Sequence, residues 1–451
     1  MSDSIDKVLS EKDLQDYAAY FNTVPHSKIL QNAVARSDLS KVAMNWEQFS
    51  LIDHTFSHVV PGEFKKVANQ KISGRCWLFA GLNLLRIHMA KKYHLEEFEF
   101  SQSYLFFYDK LEKANFFLES MLQTAKEPVD SRIVMHLVHD PVCDGGQWDM
   151  FVNLINKYGL VPQSVMPDSH SAENSRQMNY ILTLKLREYG CELRKLAEQQ
   201  TAREALLERK KAMMQEIYHI LSLHLGSPPQ EFTWEFRDSK KAFHRHAQLT
   251  PHTFNEKIVK FDFDDMLCLI HSPRSEITPY YELFTVDYLG NVIEGHPVRY
   301  INIPMDVLKE ATVKSLTDGQ PAWFGCDVGK RFDRHLGVMN TQLYDYEELY
   351  NTHFPLTKEE RLYYGESQMT HAMLLTGVNV VDGASTKWRV ENSWGEKCGQ
   401  KGYMIMTDTW FDEYLFEVAL HKKYIPKEVQ KVLTTKTPIH LPPWDPMGAL
   451  A

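Results

Sequence analysis

Asn69-Gln70-Lys71-Ile72-Ser73-Gly74-Arg75-Cys76-Trp77 is the stretch on which the reading of this chain turns. It runs straight into Leu78-Phe79-Ala80-Gly81-Leu82-Asn83-Leu84-Leu85-Arg86-Ile87-His88-Met89-Ala90, which is apolar on nearly every face of a helix. A helix of that kind belongs in the middle of a protein. The pattern predicts a buried helix starting near Cys76, with Ser73-Gly74 turning the chain into it. A cysteine in a first helical turn meets unpaired N–H groups and the positive end of the helix dipole, and both favour a thiolate. The thiolate is the nucleophilic form, and a neighbouring imidazolium can draw a thiol from roughly 8.5 down to about 3–4. Gln70, just upstream, has an amide N–H able to reach an oxygen that becomes negative during amide cleavage, and the backbone N–H of Cys76 can be a second donor. Taken alone, a Cys-Trp pair is more often ordinary core packing.

Two later stretches change that balance. Thr370-His371-Ala372-Met373-Leu374-Leu375-Thr376 places an imidazole at an apolar strand, a costly position unless the ring has a partner. Glu391-Asn392-Ser393-Trp394-Gly395 follows. An Asn carbonyl oxygen can accept from one imidazole nitrogen, fix the tautomer and turn the other nitrogen toward a sulfur. Trp394 can lie over that hydrogen bond and keep water away.

Outward from these motifs, Ser101 is the expected N-cap of a second helix through Phe106, Leu111 and Phe117. Asp144-Gly145-Gly146 breaks the chain before an amphipathic helix from Trp148 to Tyr158 that stops at Gly159. Leu182, Leu186, Tyr189, Leu193 and Leu196, then Leu206, Met213, Ile217 and Leu221, mark one or two long helices ending at Gly226, with a packing or subunit-interface stripe. From Phe232, Trp234 and Phe236 the period becomes that of strands, and the apolar runs 322–324, 373–376, 388–390 and 403–406 continue it. The expected fold is α+β. The expected division is 1–60, an N-terminal arm and helices wrapping a core; 61–175, a helical lobe with the nucleophile; 176–230, a helical insertion; 231–425, a β-rich lobe with His371 and Asn392; and 426–451, a C-terminal arm.

The chain of 451 residues carries a formal charge of −9, which gives no general attraction to nucleic acid or anionic lipid. A nucleic-acid-binding or scaffolding assembly is the competing class, and that charge argues against it. The beginning of the chain has no basic-then-apolar leader and no run approaches a membrane span. The six scattered cysteines form no C-x-x-C pair, as expected for reduced thiols in the cytoplasm. His219 with His224, and His244, His246 and His252, lack the partners of a metal site. The expectation is no metal and no organic cofactor.

Gln70, Cys76-Trp77, His371 and Asn392-Ser393-Trp394-Gly395, in that order, resemble the papain-like cysteine peptidases. Asp144-Gly145-Gly146 looks like the family's substrate-binding glycine segment. Two departures stand out: the first cysteine of the family's Cys-Gly-Ser/Ala-Cys-Trp stretch is missing, and Cys76 and His371 are about twice as far apart as the common roughly 130–150 residues. Phe98 to Phe107, Trp323 to Gly329 and Trp444 to Leu450 resemble one branch, that of bleomycin hydrolase and aminopeptidase C. The resemblance implies a two-lobed cleft with a helical insertion and a C-terminal arm. It implies Cys76, His371, Asn392 and Gln70 as the catalytic set, with Gly145, Gly146, Trp394 and Ala451 around the substrate. It further implies a cytoplasmic aminopeptidase that hydrolyses peptide and related amide bonds through an acyl-thioester. The partners implied are peptide substrates and a homohexamer, not a membrane.

Overall fold

The computed structural model describes residues 8–62, 64 and 66–450. The Cys76–Tyr93 helix is buried along almost its whole length, as its all-round apolar sequence requires, and ends where His94 turns left-handed at φ 52°. Gln102–Gln123 starts at Ser101, whose hydroxyl accepts the Tyr104 N–H at 3.0 Å. Trp148–Tyr158 ends at Gly159, where a Cβ would lie 2.4 Å from Pro251 backbone. The long amphipathic stripe forms two helices, Arg176–Glu198 and Arg203–Leu225. Leu182, Leu186, Tyr189, Leu193, Met213, Ile217 and Leu221 are all buried within the chain, against Gln102–Gln123. The stripe is therefore packing.

Behind these helices stands a twelve-stranded sheet. Its middle is an antiparallel series: Met266–Ile270, Leu415–His421, Ala322–Cys326, His371–Val381, Ala384–Glu391 and Tyr403–Thr407. Both faces of the central strands are covered, so they read as continuous apolar runs. His371 lies opposite Cys326, at the open end of its strand. Phe232–Arg237 and Phe243–Leu249 form a separate hairpin.

The N-terminal helices depart from the expectation that they wrap a core. Glu11–Thr23 and Ser27–Val34 bury no residue in the single chain, and Leu14, Tyr17, Tyr20 and Ile29 are exposed. Ala43, farther on, joins a small separate cluster with Val338, Leu343 and Tyr344.

Candidate active site

Cys76 is the first residue of its helix, with Arg75 at the N-cap. The Arg75 guanidinium is fully buried, binds both oxygens of Asp168 at 3.0 Å, and donates from Nε to Ser73 Oγ at 3.0 Å. Asp144 ties down the turn from the other side. It accepts the Gly74 N–H at 2.9 Å and Asn179 Nδ2 at 2.7 Å, bonds Ser175, and pairs with Lys110 at 2.6 Å. Burial opposes the charge on Asp144, but Lys110 overcomes it and holds the carboxyl below the usual carboxylate range. Gly74 and Gly146 are required by space: a Cβ would lie 2.6 Å from Asp144 Cβ in the first case and 2.5 Å from the Trp77 ring in the second. The Gly145 carbonyl accepts from Lys113 Nζ.

His371 opens its strand, and Asn392 follows the neighbouring strand that ends at Glu391. His371 Nε2 lies 3.0 Å from Asn392 Oδ1. That oxygen also accepts the Ser393 N–H at 2.7 Å, while Asn392 Nδ2 faces Met404 Sδ at 3.5 Å. The amide is thus oriented with its oxygen on the ring, so the neutral imidazole carries its proton on Nε2 and leaves Nδ1 as the basic nitrogen. Trp394 covers the ring at 4.9 Å between centroids, and the Arg334 guanidinium lies 4.3 Å over Trp394.

Gln70 belongs to the same network. Its backbone N–H donates to the Ser393 carbonyl at 2.8 Å, and Ser393 Oγ donates to Gln70 Oε1 at 2.6 Å. Gln70 Nε2 gives one hydrogen to the Ser73 carbonyl at 2.6 Å and has a second. The two distant motifs come together here: the backbone N–H of Ala372, next to His371, favours the Cys76 thiolate. The Cys76–Tyr93 helix packs directly on the His371–Val381 strand.

Burial dominates both titrations. It pushes the Cys76 thiol up to about 11, against the backbone N–H groups of Ala372, Trp77 and Cys76. It pulls His371 down to about 4, with Asn392 acting upward and Arg334 downward. The lowered thiol expected from the helix end is therefore not what the site gives a lone ionisation. In a dry setting a single charge of either sign costs more than the dipole returns.

The chain's last described residues lie beside this centre. Asp445 forms a bidentate pair with Arg274 at 2.9 and 3.0 Å, both side chains 3% exposed. The Pro446 carbonyl accepts the Met369 N–H at 3.3 Å, two residues before His371, and Tyr300 Oη donates to the Met447 carbonyl at 3.3 Å. Met447 and Leu450 are buried. A cavity of about 320 Å³ remains between this segment and Lys113, Cys143, Met150 and Gln368. Ala451 lies outside the described residues.

Gln70, Cys76, His371, Asn392 and Trp394 are thus one connected cluster, and Gly146 packs on the Trp beside the cysteine. Sequence reasoning missed Arg75–Asp168, the Asp144 hub, Ser393 as the link between Gln70 and Asn392, and Arg274–Asp445. Only Ser393 had a local signal, inside the Asn-Ser-Trp-Gly motif. Among the described residues, no group of three or more His, Cys, Asp or Glu is placed to hold a metal ion, and no helix is long and apolar enough to cross a membrane.

The family model described as the Peptidase C1-like family matches residues 8–448. Bleomycin hydrolase of Rattus norvegicus is 47% identical, over 95% of this chain and 96% of its own. Aminopeptidase C of Listeria innocua is 42% identical, over 97% and 98%. The crystal structure of pepw from Lactobacillus rhamnosis superposes with a TM-score of 0.97 at 44% identity, covering 99% of this chain and all of that one. A match so nearly end to end, on a fold that joins a helix-borne cysteine to a strand-borne histidine, means that this chain belongs to the Peptidase C1-like family, in its bleomycin hydrolase and aminopeptidase C branch.

Proposed function

We propose that this cysteine-type aminopeptidase works through Cys76 as nucleophile, His371 as its base, Asn392 as the group that orients the base, and Gln70 as an oxyanion donor. One observation carries the assignment: His371 is held by Asn392 at 3.0 Å on the strand against which the helix headed by Cys76 packs. Burial opposes either charge alone, but moving the proton from Sγ to Nδ1 creates two opposite charges at once. Three backbone N–H groups then stabilise the sulfur and Asn392 stabilises the ring. The thiolate attacks the amide carbonyl. The second Nε2 hydrogen of Gln70 and the Cys76 N–H meet the oxyanion. His371 protonates the leaving amine, and water releases the acyl-enzyme.

Gly145, Gly146 and Trp394 border the bound peptide in this reading, and residues 445–451 close the acyl side of the cleft. Support for the closure comes from the Arg274–Asp445 pair and from burial of Met447 and Leu450 beside the strand that carries His371. The carboxylate of Ala451 pairs with the substrate's α-ammonium. Bleomycin-type amide hydrolysis is proposed because relatives bear that name. A homohexamer is proposed because the first two helices leave Leu14, Tyr17, Tyr20 and Ile29 without cover. A cytoplasmic setting fits six cysteines that are all free. Kinetics on free-amine and amino-blocked fluorogenic amides test the reading, with Cys76→Ala as control. Equal turnover of blocked and free substrates would overturn the closure, and residual turnover by Cys76→Ala would overturn the nucleophile.

A further inference from the structure

The helix that begins at Cys76 borders another cavity toward its far end. Leu84, Ile87, His88 and Lys91 recur every three or four positions, so one face of Cys76–Tyr93 looks into a space of about 230 Å³. Across from that face stand Phe261 and Met266, the latter opening the strand Met266–Ile270. His421, which pairs with Met266 across the sheet, ends the neighbouring strand, and Lys423 lies two residues beyond it. Ser315 and Pro321 close the side where the helix Met305–Thr317 leads into the strand Ala322–Cys326. The cavity shares no lining residue with the space beside the C-terminal segment, and no member of the catalytic cluster borders it. Its volume is that of roughly seven or eight waters.

The walls carry one sign of charge. His88, Lys91, His421 and Lys423 line the space, and among the described residues no carboxylate does. Two of the four are already balanced from outside: Lys423 pairs with Asp318 at 2.8 Å, and His421 with Asp265 at 3.3 Å. Asp318 also accepts from Tyr424 Oη at 2.5 Å. Lys91 is different. Its half-buried ammonium donates to the neutral Gly319 carbonyl and, among the described residues, pairs with no carboxylate. Two of its three hydrogens are left for a ligand. Burial pulls Lys91 below its ordinary value, opposed only by the more distant Asp318. His88 meets the Val259 carbonyl at 2.9 Å and is lowered by burial and by Lys92 and Lys91. A desolvated cation without a counter-charge is costly, and an arriving anion removes that cost. The remaining surface is apolar, with Phe261 edge-on to the His88 ring at 5.6 Å between centroids.

We propose that this cavity binds a small monocarboxylate with an apolar body, its carboxylate on Lys91 and its body against Leu84, Ile87, Phe261 and Met266. The volume suits one ring or one branched chain on a short acid. A free amino acid is the wrong ligand, even though an aminopeptidase releases amino acids. Its α-ammonium would stand among four basic side chains with no carboxylate to receive it. The site thus ignores the product and responds to acids that lack the amine.

The probe is 3-phenylpropanoate, titrated by calorimetry into protein whose Cys76 has been alkylated with iodoacetamide, and into untreated protein. One molecule should bind per chain in both, with a Kd of about 1 mM, the scale of a ligand of about ten non-hydrogen atoms. 3-Phenylpropanamide keeps the body and lacks the charge; L-phenylalanine adds the ammonium; acetate lacks the body. Each should bind about tenfold more weakly or worse. Lys91→Met should weaken 3-phenylpropanoate about tenfold, Lys91→Arg should keep most of the affinity, and neither should change peptide turnover. Comparison of the four probes needs no variant, so a poorly folding Lys91→Met does not stop the test. Equal binding of the amide or of phenylalanine would overturn the proposal. So would full affinity in folded Lys91→Met, binding that disappears on alkylation of Cys76, or no binding of the probe at about 10 mM.

Discussion

Two buried Arg–Asp pairs in this molecule are built alike and serve different ends. At Ser73-Gly74-Arg75 the arginine Nε donates to the serine two residues back at 3.0 Å, and the fork closes on Asp168. At Ser272-Pro273-Arg274 the Nε again donates to the serine two residues back, at 3.1 Å, and the fork closes on Asp445. The first pair fixes the residue before the nucleophile. The second fixes the segment that reaches Leu450. Each serine presets its guanidinium plane, so less freedom is lost when the bidentate bond forms. The difference lies in what each carboxylate carries. Asp168 is 16% exposed and also accepts from Ser103, so its side of the pair is a wall of the fold. Asp445 is 3% exposed, accepts the Met447 N–H at 3.0 Å, and is the main polar anchor of the arm. One pair should govern rate and the other selectivity.

Cys76→Ala sets the zero for that comparison. It should lower kcat/KM by about 10⁵-fold or more, to the background of the fold. The melting temperature should hardly move, since the thiol donates only over a long 4.0 Å, to the Gly74 carbonyl. Asn392→Ala should cost about 10²-fold, because the base remains but loses its aim. A loss equal to that of Cys76→Ala would show Asn392 to be more than an orienting group.

The pairs themselves come next. Arg75→Met leaves Asp168 without its partner and should destabilise the protein by about 3–5 kcal/mol in denaturant titration. At temperatures where the variant stays folded, kcat should fall about tenfold through misplacement of the sulfur, and amino-blocked peptides should still be refused. Asp445→Ala leaves Arg274 buried and unpaired, at a similar cost in stability. Here the readout is qualitative: blocked peptides become substrates, while kcat on an unblocked arylamide changes by less than about tenfold. If Asp445→Ala merely slows every substrate and still refuses blocked ones, the two pairs do the same work and the comparison fails.

How far the sequence reached follows from the range of the interactions. The Cys76–Tyr93 helix was legible because its signal is local: apolar faces, a turn before it and a cysteine at its start. His371 and Asn392 were legible because each motif states its own chemistry within a few residues. Their meeting across the cleft came from resemblance, since no local pattern encodes a contact spanning most of the chain. Nothing local marked Arg75 as buried. Its burial depends on Asp168 and on the Phe79 and Phe106 rings, 5.1 and 5.4 Å from the guanidinium carbon. Ser272-Pro273-Arg274 carried no signal, because its partner lies near the other end of the chain. The N-terminal helices misled for the opposite reason. Glu11–Thr23 has a full capping box at Ser10 and Asp13, and such local signals cannot say whether the apolar face is covered by this chain. The thiol was read from the helix end and a neighbouring imidazolium, whereas burial is a property of the assembled fold.

Burial also fixes the smallest of the expected effects, the shape of the pH profile. With His371 held down to about 4 and Cys76 pushed up to about 11, the pair shares one proton throughout the interval between them. That holds wherever the proton sits, on sulfur or on nitrogen, because the limbs report the pair as a whole. Adding a second proton at low pH gives thiol and imidazolium, which cannot attack. The acid limb of kcat/KM should therefore lie near pH 4, well below the roughly 6.5 of a free imidazole. On the basic side a free-amine substrate loses its own ammonium charge at about 8, so the descending limb should belong to the substrate and vanish with a trimethylammonium analogue. Asn392→Ala removes the one contact that raises the His371 value, so its acid limb should move lower still. An acid limb near 6.5 would mean that the ring is hydrated in solution, and that the Trp394 cover over it opens freely.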